Sequence, residues 1–210
     1  MLSTANTLHL KISKGNTKVG RIPNLSLTPV ESCPGMTEAC VDCYACAYMR
    51  RFTSTAVAYA KNLALCQDTG TDAGWKVDLI RFLSRTRPAA FRIHVAGDFF
   101  SVEYVQAWAQ ICRMFPQTRF LAFTRSWRIP ELRNALGQLR RLPNVQTIAS
   151  CDRFASAGPR GWRRAHMGKP TRATARKTVL CPGYGPKELT CDECGLCFKP
   201  VPVDVYFPIH

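Results

Sequence analysis

The sequence predicts an α/β domain on parallel strands, with the sheet open or partly closed into a barrel. Three observations carry this. Apolar runs of strand length alternate with segments of helical period from about residue 90 to residue 149. The connections between them are short, which for parallel neighbours requires crossover helices. The chain has 210 residues and is 46% hydrophobic, enough for one sizeable core and a single domain over 1–210.

Residues 1–21 are polar, with an alternation at Leu8–Ile12 that suits an edge strand or an ordered arm. Asn24-Leu-Ser-Leu-Thr-Pro29 alternates and stops at proline, as a strand delivering the chain to a loop does. From Cys43 to Cys66 there is no proline or glycine and much alanine, which predicts one helix. Asp72–Arg85 predicts a second, with Trp75, Leu79, Ile80 and Leu83 on one side. Phe91–Ala96 reads as a strand ending at Gly97-Asp98. Ser101 is then an N-cap for a helix carrying Val102, Val105, Ala109 and Cys112. Arg119–Thr124 is the next strand, Pro130 starts a helix through Leu142, and Val145–Ala149 is a further strand ending at Cys151-Asp152. The β/α core therefore spans 22–152.

Residues 153–177 break the alternation. They hold Arg153, Arg160, Arg163, Arg164, Lys169, Arg172, Arg176 and Lys177 and no acid, and read as a long basic loop. Trp162 among these arginines suits stacking on a base or nucleotide, or folding back on the sheet. Residues 178–210 form a cysteine-rich C-terminal segment, with strands at Thr178–Leu180 and Val201–Phe207.

Eleven cysteines dominate the chemistry. Cys33, Cys40, Cys43 and Cys46 fall within fourteen residues, the last three spaced C-x-x-C-x-x-C. Cys181, Cys191, Cys194 and Cys197 echo them, and both sets open with Cys-Pro-Gly. No apolar secretory segment follows Met1, so reduced thiols are expected, in a cytoplasmic setting, rather than a disulfide framework. Thiolates this dense suit a soft metal. The triple spacing suits one or two 4Fe–4S clusters, with zinc as the alternative. Cys151, at a strand end, is a further candidate to close a site. Cys66 and Cys112 fall within helices and read as small hydrophobes.

No run of about eighteen apolar residues exists, so no membrane span is expected. The net charge is +15, from 29 basic and 14 acidic residues, which predicts attraction to nucleic acid or another polyanion. Arg160, Trp162, Arg163, Arg164, Lys169, Arg172, Arg176 and Lys177 are the candidate contacts. Nothing here sets an oligomeric state.

Strand ends of a parallel sheet gather reactive groups at the carboxyl edge. There the sequence places Gly97, Asp98, Arg125 and Cys151-Asp152. Asp98 would accept from an amine or hydroxyl, or cap the following helix. Arg125 would hold an anion or a surface ion pair. His94, in mid-strand, reads as a buried, satisfied histidine.

These residues carry a resemblance. Cys40-Val-Asp-Cys43-Tyr-Ala, entering a helix after the first strand, resembles the cluster loop of radical S-adenosylmethionine (SAM) enzymes, and Gly97-Asp98 resembles that superfamily's Gly-Glu-type motif. More closely, Cys-x-x-Cys-Tyr-Ala, His-Val-Ala-Gly-Asp-Phe-Phe-Ser and Phe-Thr-Arg-Ser-Trp are similar to the gene-product-eighty-eight-like family of phage and bacterial proteins. The resemblance implies a partial, incomplete β/α barrel with a 4Fe–4S cluster at its mouth, held by Cys33, Cys40 and Cys43. Gly97, Asp98 and Arg125 would hold SAM as cofactor, and a phage origin would place the protein in the host cytoplasm. The spacing departs from the usual C-x3-C-x2-C, since six residues separate Cys33 from Cys40. A fourth thiol, Cys46 or a distant one, would close the cluster and make it structural or electron-transferring.

Overall fold

The computed structural model describes residues 9–68, 70, 73–170 and 176–209. Seven strands form one sheet in the order β1-β2-β3-β4-β5-β7-β6, and every pairing is parallel. They are β1 (Asn24–Leu25), β2 (Ala90–His94), β3 (Arg119–Thr124), β4 (Val145–Cys151), β5 (Arg164–Met167), β6 (Lys177–Leu180) and β7 (Val203–Phe207). The sheet does not close, since β1 and β6 remain its edges, so the architecture is the expected open α/β barrel segment.

Three helices cover one face: α3 (Gly74–Thr86), α4 (Val102–Met114) and α5 (Pro130–Arg140). Alternation along the strands decides which side chains they meet. Phe91 and Ile93 of β2 and Phe120 and Ala122 of β3 join Trp75, Leu79, Trp108, Ile111 and Leu136 in the main core. The intervening residues point the other way. There Leu121, Ile148, Ala165 and Val205 form a smaller cluster with Val19, Ile22 and Phe198. Ser101 caps α4 as predicted, its hydroxyl accepting from the Tyr104 N–H at 3.1 Å. The N-terminal arm is pinned to the core at Lys11. The buried Asn62 amide holds Lys11 through both its N–H and C=O, and also donates to Ser26 O at 2.9 Å.

Two expectations are corrected. The helix over 43–66 is two helices, α1 (Tyr44–Arg51) and α2 (Thr53–Cys66), because Phe52 adopts an extended backbone (φ −127°, ψ 94°) between them. Residues 153–177 are not a plain loop, since β5 runs through them and joins β4 to β7. Part of the polarity that disguised β5 is absorbed by hydrogen bonds to its neighbours, while Arg164 Nε and His166 Nε2 stay buried without a partner among the described residues. The Asp204 carboxylate accepts from Arg164 N–H at 2.8 Å, and Arg163 donates to the carbonyls of Val203 and Lys199. A short helix α6 (Cys191–Cys194) lies between β6 and β7. Among the described residues no helix is long and apolar enough to cross a membrane.

Candidate functional site

The sheet face turned away from α3–α5 is concave and borders a chamber of about 990 Å³. Arg92, Phe123, Met167 and Phe207 rise into it from the strands, and the arm from Leu10 to Val19 forms part of its wall. Both cysteine sets reach it. Cys33 and Cys40 line it on one side, and Cys181, Cys191, Cys194 and Cys197 on the other. Cys43 and Cys46 belong to the first set but do not line the chamber, while Cys151 does. All eleven cysteines are free thiols, and the eight of the two sets are half-buried.

The first set sits on a loop clamped to the end of β3. Gly35 has its backbone against the Arg125 carbonyl, where any Cβ would collide with Arg125 and the Ser126 N–H. Arg128 donates to the carbonyls of Gly35 and Met36. Arg125 is not the surface ion pair that its strand-end position also allowed. Its Nη1 lies 3.1 Å from the buried Asp152 Oδ2, 3.2 Å from Thr37 Oγ1 and 2.8 Å from Cys40 Sγ. Thr37 donates to the same Asp152 oxygen at 2.7 Å. Cys40 is thereby presented to a cation held by a buried carboxylate. Cys43 is the N-cap position of α1, and Tyr44 OH anchors that helix to Val95 O at 2.6 Å.

Gly97 (φ +80°) turns the chain after β2 with its Cα against Leu27 and Ser32, so no side chain fits there. Asp98 follows, buried, and each of its oxygens accepts twice. Oδ1 takes Phe99 N–H at 2.7 Å and Thr124 Oγ1 at 2.6 Å, and Oδ2 takes Arg125 N–H at 2.7 Å and Ser126 N–H at 3.1 Å. A carboxylate has about four acceptor positions. All four are spent, three on the turn after β3 and one on the adjacent Phe99 N–H, so a ligand amine would have to displace one of them. Burial pushes the Asp98 carboxyl up, and the donated hydrogen bonds oppose the shift. Burial, with the Asp98 charge adding to it, raises the Cys33 thiol to about 12.

The second set is fixed by turns. A reciprocal capping box joins Thr190 and Glu193 around α6, and Gly195 (φ +61°) ends it. Cys191 N–H donates to Lys18 O at 3.1 Å, and Cys181 N–H to Tyr206 O at 2.9 Å. Burial raises the thiols of Cys181, Cys191 and Cys197, the last to about 12. Cations oppose the shift: Lys18 and Arg92 beside Cys181 and Cys191, and Arg163 and Arg92 beside Cys197.

Among the described residues no three His, Cys, Asp or Glu side chains converge on one metal position. The donor chemistry nevertheless fits a sulfur-ligated centre. Free, half-buried thiols lie in two sets, and cations stand beside Cys40, Cys181 and Cys191.

The basic stretch is largely turned inward. Trp162 is buried, with Arg140 over its ring at 5.5 Å, so it is a packed residue and not an exposed stacking platform. Arg163 is buried, Arg164 donates to Gly158 O, and Arg176 donates to the carbonyls of Gly161 and Trp162. Arg160, Lys169 and Lys177 are exposed, and Arg172 lies outside the described residues. His94 is buried as expected but only half satisfied. Nε2 pairs with Tyr104 OH at 3.1 Å, while Nδ1 has no partner.

Sequence reasoning missed Arg92, Lys18, Thr37 and Arg128. A charged residue at the outward position of Phe91-Arg-Ile-His-Val was the available signal for Arg92. The other three had none, because each acts on a segment distant in sequence.

Residues 1–200 match the family described as Gene product 88. The chain belongs to the gene product 88 family. Its relatives include the Gene 88 protein of Mycobacterium phage D29, 28% identical over 225 aligned positions that cover 92% of this chain and 90% of that protein. The Gene 88 protein of Mycobacterium phage L5 is 31% identical over 135 positions, covering 57% of this chain and 54% of that one. No solved structure matches. The gene product 88 match extends over both cysteine sets, the Gly97-Asp98 turn and every strand of the sheet but β7.

Proposed function

We propose that this protein binds iron–sulfur clusters of the 4Fe–4S type at the two cysteine sets, one on either side of the chamber. The observation that carries the reading is the pairing of each set with fixed cations: Arg125 on Cys40, and Lys18 and Arg92 beside Cys181 and Cys191. Bound clusters would supply electron transfer or Lewis acidity. Cys33, Cys40, Cys43 and Cys46 would hold one, and Cys181, Cys191, Cys194 and Cys197 the other. Arg125 would pin Cys40 in place, and Arg92 would offset the charge of the second set. The Asp98 bonds keep the β3 turn, and so the Gly35 contact, in place. In this reading both centres are fully thiolate-ligated, and the protein is a binding or electron-transfer module.

A second reading, a radical-SAM-like enzyme, is favoured by the position of Gly97-Asp98 beside the first set. There Cys46 would stay free, leaving one iron of the first cluster open to SAM. The occupied acceptor positions of Asp98 weigh against it.

The test is iron and sulfide analysis of protein purified and reconstituted without oxygen. About four irons per set are expected, and Cys194→Ser should remove one set's share. Colourless, folded protein that takes up zinc but no iron would overturn the cluster reading in favour of zinc. Adding SAM to the reduced protein separates the two readings, since only the enzyme forms 5′-deoxyadenosine.

A further inference from the structure

The chamber is cationic beyond what its protein neighbours balance. Lys11, Lys18, Arg92 and Arg125 line it, and among the described residues Asp98 is the only carboxylate that does. Asp98 is already spent on hydrogen bonds, and Arg125 is paired with Asp152. Arg92 has no such pairing among the described residues. It is half-buried on β2, its Nε donates to His94 O at 2.9 Å, and its guanidinium lies over the Phe123 ring at 4.9 Å. That bond and the ring fix the side chain and leave the two terminal nitrogens without a carboxylate. Lys18 stands at the rim, its ammonium over the Tyr184 ring at 3.4 Å, close enough to Arg92 for the two charges to repel. Phe207 packs edge-on against both Phe123 and Tyr184, at 6.0 and 6.2 Å. A fork that takes oxyanions bidentately therefore sits beside a continuous aromatic wall.

We propose that the chamber binds a small organic anion carrying a flat ring, a phosphate or carboxylate of nucleotide size, with Arg92 and Lys18 on the anionic group and Phe123 and Phe207 against the ring. About 990 Å³ is at the upper end of the range of small-ligand sites. This goes beyond the cluster reading and draws on two of the same cations, since Arg92 and Lys18 also stand beside Cys181 and Cys191.

The probes are adenosine 5′-monophosphate for the phosphate arm and nicotinate for the carboxylate arm, titrated calorimetrically into the full chain. Adenosine and inorganic phosphate are the half-ligands. One of the two anions should bind saturably in the millimolar range or tighter, and each corresponding half-ligand more weakly. Arg92→Gln and Lys18→Gln should each weaken it about tenfold, and Arg113→Gln, exposed on α4, should not. If Arg92→Gln does not fold, Lys18→Gln at the rim decides. Absence of saturable binding by both anions, or wild-type affinity in Lys18→Gln, overturns the proposal. Measuring iron-free and iron-loaded protein in parallel separates the two proposals. Anion binding by protein that never takes up iron would leave the chamber site standing alone.

Discussion

At the scale of single residues, the informative groups are those whose surroundings contradict their chemistry. His94 is one. Burial, with the Arg92 charge adding to it, lowers its imidazole from 6.5 to about 3. The unfolded chain therefore takes up a proton between about pH 6.5 and pH 3 that the folded chain refuses. The stability from neutral His94 is fully present above about pH 6.5 and is lost as pH falls, to a maximum of about 5 kcal/mol. Urea midpoints measured across that range should fall with acidification, and His94→Gln should flatten the slope. An unchanged slope would mean that another group carries the acid sensitivity. Asp98 is the second case. Removing its charge leaves four donors facing a neutral amide, one of whose atoms is itself a donor. Asp98→Asn should cost about 2–4 kcal/mol in the metal-free protein, read from urea unfolding. A loss of less than about 0.5 kcal/mol would mean that the turn after β3 does not depend on the carboxylate.

At the scale of elements, what was legible in the sequence followed local pattern. The helix after Ser101 was readable because the cap, the period and the stop before Pro116 agree. The break at Phe52 was not, because no glycine or proline marks it. The extended Phe52 backbone turns its ring onto Tyr48 at 4.6 Å, a tertiary preference with no sequence signature. β5 was hidden for a related reason. Arg-Ala-His-Met has no strand-like period, and the Arg164 N–H and the preceding Arg163 side chain find their acceptors on β7 and its approach, some forty residues later. The Cys-Pro-Gly segment was legible as a motif but not as a joint. Gly35→Ala should force the first cysteine loop off the β3 turn, costing about 1–3 kcal/mol. It should also lower iron retention in the first set while sparing the second. Equal loss from both sets would show that the effect is global unfolding.

At the scale of the whole molecule, the thiol sets were visible as two echoing runs, whereas their common wall was not. Only the sheet order brings Cys33 and Cys191 to one chamber. The charge of +15 was equally plain, but the basic stretch spends Arg163, Arg164 and Arg176 on backbone carbonyls. Besides Arg153, whose guanidinium lies over the Phe154 ring, Arg160, Lys169 and Lys177 remain as the exposed cations of that segment among the described residues. Nucleic-acid binding through them should be weak and non-specific. Its log affinity should fall with log salt with a slope of about −2 to −3, since each neutralised phosphate contributes about −0.9. Their joint replacement by glutamine should flatten that slope. A steep slope surviving the replacement would place the polyanion contact elsewhere.

The strand order has a consequence for synthesis on the ribosome. β7 lies between β5 and β6, although β6 is translated first. Until β7 has left the exit tunnel, β6 has no partner to zip onto, and the Cys181–Cys197 excursion hangs from an unpaired edge. Nascent chains arrested before Val203 should therefore keep those thiols open to alkylating reagents. Release of the full sheet should shield them in a single late step.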